Sequence, residues 1–376
     1  MKKILLAQLA CFGDCLYATA VAKQIKQDYP ACMLTWAVAG KYKSALEGNP
    51  YIDEIWEVSV PDNDFYNKGW DDFEAEALRR KAEGVYDEFF FTQIPRKNWR
   101  NFNGTIRGAI LNGYDKPITV DVTPVLRLSE KEVSNVKAFV AQHNLSAFKA
   151  VILFECAPSS GQSFVNIDFA LRVSKNITAI YPDVCFILST HQKIDTQNPR
   201  IIDASSISFR ENAELVNHCT LLLGCSSGIT WLSTSDWVHK KIHTVQILSE
   251  KFTLYTGMEY DHAQWGLPTK HIIELADCPQ ETVETVLKSI LDSGFGQTKQ
   301  KFHQIVRPSY FNFLSVLRQV IPIAQNKQEI WDFTTRFYER NKHLDKKRLN
   351  ALTMRDVSPK WYKLLKRLFI IPKAKV

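Results

Sequence analysis

Residues 1–30 decide the fold. They open with Ile4-Leu5-Leu6-Ala7-Gln8-Leu9-Ala10, step through Phe12-Gly13-Asp14, and continue with helical periodicity from Cys15 to Tyr29. A short apolar strand, a glycine turn and a helix with an acid in its first turn form the opening unit of a nucleotide-type α/β domain. Open α/β sheets place their ligands at the carboxyl ends of the strands, and Asp14 stands there. A carboxylate in that place serves as a general base or as a helix N-cap, and the two roles are compatible.

The pattern repeats along the chain. Apolar runs at 33–39, 52–58 and 87–92 alternate with helical segments, and a helix over 129–143 carries a capping box from Ser129 to Glu132. A second series follows, with strands at 150–156, 184–189, 220–224 and 243–248. Continuous apolar strands separated by helices predict parallel sheets covered on both faces. The predicted fold class is α/β, two Rossmann-like domains facing a cleft. Their expected bounds are 1–146 and 147–300, with a helical basic tail at 301–376.

Composition narrows the class further. At 376 residues with 45% hydrophobic side chains, the chain is long enough for two cores. No apolar run approaches the ~20 residues that span a bilayer. The N-terminal apolar run is interrupted by Gln8 and ended by Gly13-Asp14, which does not suit a signal peptide, so a cytoplasmic protein is expected. Eight scattered cysteines form no Cys-x-x-Cys pair and read as reduced, buried thiols; no metal site is expected. Residues 301–376 carry 17 Lys and Arg against 5 Asp and Glu, while the remainder carries 30 against 35. The body is thus mildly acidic, which argues against nucleic acid as partner, and the tail is strongly basic.

Four segments carry candidate chemistry. The run Gly224-Cys225-Ser226-Ser227-Gly228-Ile229-Thr230 ends a strand in small polar residues and begins a helix. Its backbone N–H groups and the hydroxyls of Ser226, Ser227 and Thr230 suit a pyrophosphate, or make an ordinary capped turn. The loop Ser159-Ser160-Gly161-Gln162-Ser163 offers Ser160 and Gln162 to a phosphate or sugar, or is a βα turn. Residues 95–107 hold Arg96, Lys97, Arg100 and Arg107 with no acid, a surface for an anionic acceptor or a solvated loop. Residues 358–371 place Trp361, Leu364, Leu365 and Leu368 on one stripe of a basic helix, either an interfacial membrane helix or a packing helix with a lysine-rich face.

The run Phe12-Gly13-Asp14-Cys15-Leu16-Tyr17-Ala18-Thr19-Ala20, then Tyr29-Pro30 and Gly48-Asn49-Pro50-Tyr51-Ile52, resembles the lipopolysaccharide heptosyltransferases of glycosyltransferase family 9. Residues 223–232 are similar to that family's donor turn, and the resemblance spans roughly 1–290. It implies a GT-B fold and inverting transfer from a nucleotide-diphosphate sugar, with no further cofactor and no metal, to an anionic glycolipid at the inner membrane face. It makes Asp14 the base and assigns donor phosphate contacts to Ser226, Ser227 and Gly228; the loop reading adds Ser160, Gln162 and Thr230 to the donor site. Arg96, Lys97 and Arg100 would face the acceptor. Three positions depart from the family: Ser226 stands for its Asp, Trp231 for its His, and Gln162 for a lysine. A nucleotide-sugar 2-epimerase of the same fold, or a non-catalytic glycolipid-binding homologue, are the competing expectations.

Overall fold

The structure, a computed structural model, describes residues 1–60, 69–94, 96–249 and 256–358; the side chains of Arg96 and Lys97 lie outside the described part. The first half runs β1 (Lys3–Ala7), α1 (Phe12–Asp28), β2 (Met33–Ala39), β3 (Glu54–Val58), α2 (Trp70–Ala82), β4 (Glu88–Phe91), α3 (Ile106–Leu111) and α4 (Glu130–Gln142). The second runs β5 (Ala150–Glu155), α5 (Ile167–Ile180), β6 (Val184–Ser189), β7 (Ile201–Asp203), α6 (Glu211–Asn217), β8 (Leu221–Gly224) and α7 (Gly228–Leu232). It continues with β9 (His243–Leu248), α8 (Met258–Gln264), β10 (Ile272–Ala276) and α9 (Gln280–Ser293). Four helices close the chain: α10 (Phe295–Phe302), α11 (Tyr310–Val320), α12 (Lys327–Arg340) and α13 (Lys346–Val357).

Two wholly parallel sheets result, ordered β3-β2-β1-β4 and β10-β9-β8-β5-β6-β7. β1 and β5 lie between two neighbours each, and their apolar residues are buried on both faces, as the continuous apolar runs require. Register aligns Leu6 with Trp36 on one side and Phe90 on the other. α1 starts three residues before the expected Cys15 and ends before Pro30, whose ring disfavours helical backbone at the residue ahead of it. The Ser129–Glu132 capping box forms as read. β7, β10 and α2 had no counterpart in the sequence reading.

The C-terminal helices occupy a particular place. Phe313, Val316, Phe333, Phe337 and Leu349 are wholly buried in the same cluster as Ile4 and Leu6 of the first sheet and Leu16 of α1. Phe337 stacks on Phe102 with ring centroids 6.0 Å apart. The chain therefore crosses back after the second sheet, and α11–α13 pack on the first unit up to residue 358. The reading of 358–371 as a membrane-surface helix falls on residues outside the described part.

The two sheets meet along a polar and aromatic seam. Arg107 Nε donates to Asp261 Oδ2 at 2.8 Å, with the two side chains 0% and 4% exposed. Arg210 donates to the carbonyls of Ser44 and Glu47 at 2.8 and 2.9 Å and pairs with Glu132 at 2.6 Å. Phe12 stacks on Phe209 at 4.2 Å, and Tyr17 packs at a tilt against Trp231 at 5.1 Å.

Truncating Phe337 to alanine removes a wholly buried ring between α12 and the first sheet's core. The expected loss is roughly 3–5 kcal/mol of unfolding free energy. Equilibrium urea denaturation of Phe337→Ala checks it; a loss under about 1 kcal/mol would show that the C-terminal helices are dispensable to that core.

Candidate active site

The site begins at the carboxyl end of β1. Gln8 is wholly buried there, and its polarity within an apolar run has a purpose. Its Nε2 donates to Gln93 Oε1 at 2.8 Å, its Oε1 accepts from the Thr92 hydroxyl at 2.9 Å, and Gln93 Oε1 also accepts from the Ala10 N–H at 2.8 Å. This network ties the turn after β1 to the end of β4. Asn98 extends it, donating to the carbonyls of Phe91 and Gln93 at 2.6 and 2.7 Å. The basic turn Arg96–Asn101 is thereby fixed on the same sheet edge as Asp14, with Arg100 exposed. Gln93 and Asn98 had no role in the sequence reading; the polar break at Gln8 was the available signal.

Asp14 is the third residue of α1. The N-cap is Cys11, which makes no side-chain cap bond, so the expectation of Asp14 as N-cap is corrected. Asp14 instead accepts the Cys11 backbone N–H, the returning half of a capping box. Its residue is partly open to the cleft while protein surrounds the carboxyl. Burial pushes its pKa from 3.8 up to about 7, against the smaller opposing pull of the Cys11 N–H.

Across the seam, the turn between β8 and α7 comes to meet it. A Cβ added at Gly13 would stand 3.0 Å from Trp231 Cδ1 and 3.9 Å from Gly228 Cα. A Cβ at Gly228 would stand 2.7 Å from Phe209 Cε2 and 3.3 Å from Phe12 Cβ. Only glycine at both places lets the two turns come this close. The first turn of α1, which carries Asp14, thus packs against the turn expected to hold the donor.

The residues expected at that turn are divided by the structure. Gln162 and Ser226 are buried and come together: Gln162 Nε2 donates to the Ser226 carbonyl at 3.4 Å, and the Ser226 hydroxyl reaches Gln162 Oε1 at 3.5 Å. Ser226 holds a left-handed backbone, φ 55°, uncommon for a residue with a Cβ and typical of functional turns. Ser227 takes the N-cap position of α7 without a capping bond, and Ser160 is exposed, its hydroxyl accepting from the Gln162 N–H at 3.3 Å. Thr230 is wholly buried and donates to Glu155 at 2.6 Å, behind the turn. Glu155 itself, the last residue of β5, was unread in the sequence.

The other expected groups are quickly placed. The eight cysteines are free, and among the described residues no group of three or more His, Cys, Asp or Glu could hold a metal ion. The sequence contains one His-x-x-x-His spacing, His239 and His243. His239 lies in a loop and His243 begins β9, so the spacing does not put them on one helix face. No helix among the described residues is long and apolar enough to cross a membrane.

No family model matches the chain, and no curated protein matches its sequence. Among solved structures it is similar to a family 9 glycosyl transferase from Veillonella parvula, at 14% identity over 86% of this chain and 97% of that one, with a TM-score of 0.49. It is similar to the ADP-heptose lipopolysaccharide heptosyltransferase II of E. coli, at 13% identity over 77% and 98%, with a TM-score of 0.51. A putative UDP-N-acetylglucosamine 2-epimerase from Listeria monocytogenes matches at 11% identity over 86% and 96%, with a TM-score of 0.45. The fold is GT-B, of the heptosyltransferase-like kind.

The shifted acid predicts a pH effect on stability. Folded Asp14 keeps its proton up to about pH 7, whereas unfolded it loses it near 3.8. Between these values the folded state holds more protons, so stability falls as pH rises through the window. Asp14→Asn removes that penalty, on the order of 2–4 kcal/mol. The variant is expected to melt above the wild type at about pH 8 and level with it near pH 4; thermal melts across pH check this, and a pH-independent difference would refute it.

Proposed function

We propose that the chain is an inverting glycosyltransferase that uses a nucleotide-diphosphate sugar. The observation that carries the reading is Asp14, a half-buried residue whose enclosed carboxyl has a pKa raised to about 7, next to the Gly13 that packs against the Ser226-Ser227-Gly228 turn. A base works best when its pKa lies near the working pH, because it is then both available and strong enough to take a proton. The acceptor hydroxyl gives its proton to Asp14 as its oxygen attacks the anomeric carbon. The bond from that carbon to the diphosphate oxygen breaks on the opposite face, the nucleoside diphosphate leaves with the electron pair, and configuration inverts. The GT-B fold supports the reading; an acceptor would meet the first sheet's edge and the donor the second's.

The finer reading is a sugar, heptose among the candidates, moved onto an anionic glycolipid of the lipopolysaccharide type. The acceptor's charge would meet the Arg96–Asn101 turn, through Arg96, Lys97 and Arg100, on the same edge as Asp14. Residues 358–371 would hold the enzyme peripherally at the cytoplasmic membrane face, each base contributing about 1 kcal/mol near an anionic leaflet.

Asp14→Asn is expected to fold and to lose about 10²–10⁴ of kcat. The wild-type kcat/KM is expected to rise with pH through about 7 as the base loses its proton. Coupled measurement of nucleoside diphosphate release and acceptor glycosylation checks both, after a thermal-shift panel of ADP-, GDP-, UDP- and CMP-sugars has identified the donor. Full transfer by Asp14→Asn would sink the base assignment. Deleting residues 358–376 is expected to move the protein from the membrane to the soluble fraction, and an unchanged distribution would count against the anchor.

A further inference from the structure

A small cavity lies in the seam between the two sheets, at the far end from the cleft. Arg107 and Pro124 line it from the first unit, and Lys241, His262, Pro268 and His271 from the second. Lys241 stands just ahead of β9 and His271 just ahead of β10, at the amino ends of parallel strands. The expected donor turn lies at the carboxyl end of β8, roughly 20 Å away along the sheet. None of the residues that line the cavity is acidic.

Two buried side chains in this lining keep an unsatisfied nitrogen. Arg107, wholly buried, donates from Nε to Asp261 and from Nη1 to the Val122 carbonyl at 2.8 Å, while its Nη2 has no hydrogen-bond partner. The Tyr17 ring lies against the guanidinium at 4.4 Å. Burial opposes the charge of Arg107, but Asp261 outweighs it and the pKa is raised, so the charge stays. His262, 4% exposed, sets its Nδ1 3.0 Å from the Pro268 carbonyl. A carbonyl only accepts, so Nδ1 carries the proton and Nε2 is a lone-pair acceptor. That Nε2 is buried without a partner. Burial first, then the charges of Arg107 and Lys241, push the His262 pKa from 6.5 to about 3 and keep the ring neutral.

The neighbouring acids are engaged elsewhere. Asp261 pairs with Arg107 on its Nε side, and Asp121, which feels the Lys241 charge from a distance, accepts from the Thr123 N–H and hydroxyl. Lys241 itself is exposed. His271, held neutral chiefly by burial, has only basic groups acting on it: His262, Lys241, His243 and Lys299. The cavity therefore offers cationic donors and, beside them, one buried acceptor. A ligand that meets both needs negative oxygens and a proton to give. We propose that this cavity is a phosphate-binding site joining the two units: a monoprotonated phosphate accepts from Arg107 Nη2 and Lys241 Nζ and donates its own O–H to His262 Nε2. Sulfate, which has no proton at neutral pH, would set its oxygen against the lone pair of that ring. The site is separate from the cleft and does not depend on which reaction the cleft performs.

The test is calorimetry on the full chain with inorganic phosphate and with sulfate, at neutral pH and constant ionic strength. Phosphate is expected to bind saturably, and sulfate at least about tenfold more weakly, since it leaves the buried acceptor unpaired. His262→Asn can keep the bond to Pro268 while removing Nε2; it is expected to lower phosphate affinity to the level of sulfate. Lys241→Gln, an exposed change, is expected to weaken both anions about threefold or more. A saturating nucleoside diphosphate, directed at the cleft, is expected to leave phosphate affinity unchanged. Absence of saturable phosphate binding up to about 10 mM overturns the proposal and leaves the cavity to water or another neutral occupant. Equal binding of sulfate, indifference to Lys241→Gln, or displacement of phosphate by the nucleoside diphosphate overturns it as well. If His262→Asn does not fold, the sulfate comparison and Lys241→Gln decide. Glycerol 3-phosphate names the source: tighter binding than phosphate assigns the site to the end of a phosphomonoester, weaker binding to the free ion, and either order supports a phosphate site.

Discussion

Everything at the cleft depends on two βα turns approaching to van der Waals distance. Gly13 packs against Trp231, and Gly228 packs beneath Phe209 and Phe12, with no space for a Cβ at either place. The aromatic pairs Phe12–Phe209 and Tyr17–Trp231 flank that approach. Arg210 and the buried Arg107–Asp261 pair then hold the two sheets at the spacing the turns require. A buried pair of this kind adds little net stability, but breaking it leaves a bare charge, so it enforces one arrangement of the domains. Trp231, which stands where the resembling family has a histidine, thus serves the contact between domains.

Four buried carboxyls show how the same fold gives one residue type different duties. Asp261 is neutralised by Arg107, although burial still pushes its pKa up. Glu155 is ringed by four donors and organises the turn. Glu274 has a pKa pushed to about 8 by burial, accepts from the Val306 N–H at 2.8 Å and from the Glu259 N–H, and is closed off from solvent. Asp14 has a similarly raised pKa, with one N–H opposing its burial, but its residue is only half-buried. A raised pKa alone therefore does not identify the base; the combination with access does.

The architecture was largely legible because local signals and long-range pairing agree. The runs at 33–39, 184–189 and 243–248 became strands with the same bounds, since a central parallel strand has to be apolar on both faces. β7 escaped notice at three residues, too short for periodicity to register. The site was legible only in part. Gln162 and Ser226 meet as their small-polar loops suggested, yet Thr230 turned inward because Glu155 waits behind it. Nothing local marks Glu155, which reads as the last residue of an apolar strand; its partners come from 70 and more residues further on. The aromatic faces of α11–α13 were equally visible, but their partner, the first sheet, lies some three hundred positions earlier in the chain.

That return crossing also bears on how the protein is made. The first sheet is synthesised at once, but its core takes Phe313, Phe333, Phe337 and Leu349 from the far end of the chain. On the ribosome it must wait, with an apolar face uncovered, until the residues around Leu349 have emerged. The second sheet, whose cluster is drawn from residues 150–302, can close earlier. Vectorial synthesis and folding thus run in opposite orders here. The newly made N-terminal half is the part left uncovered longest, and contacts this distant in sequence slow its completion.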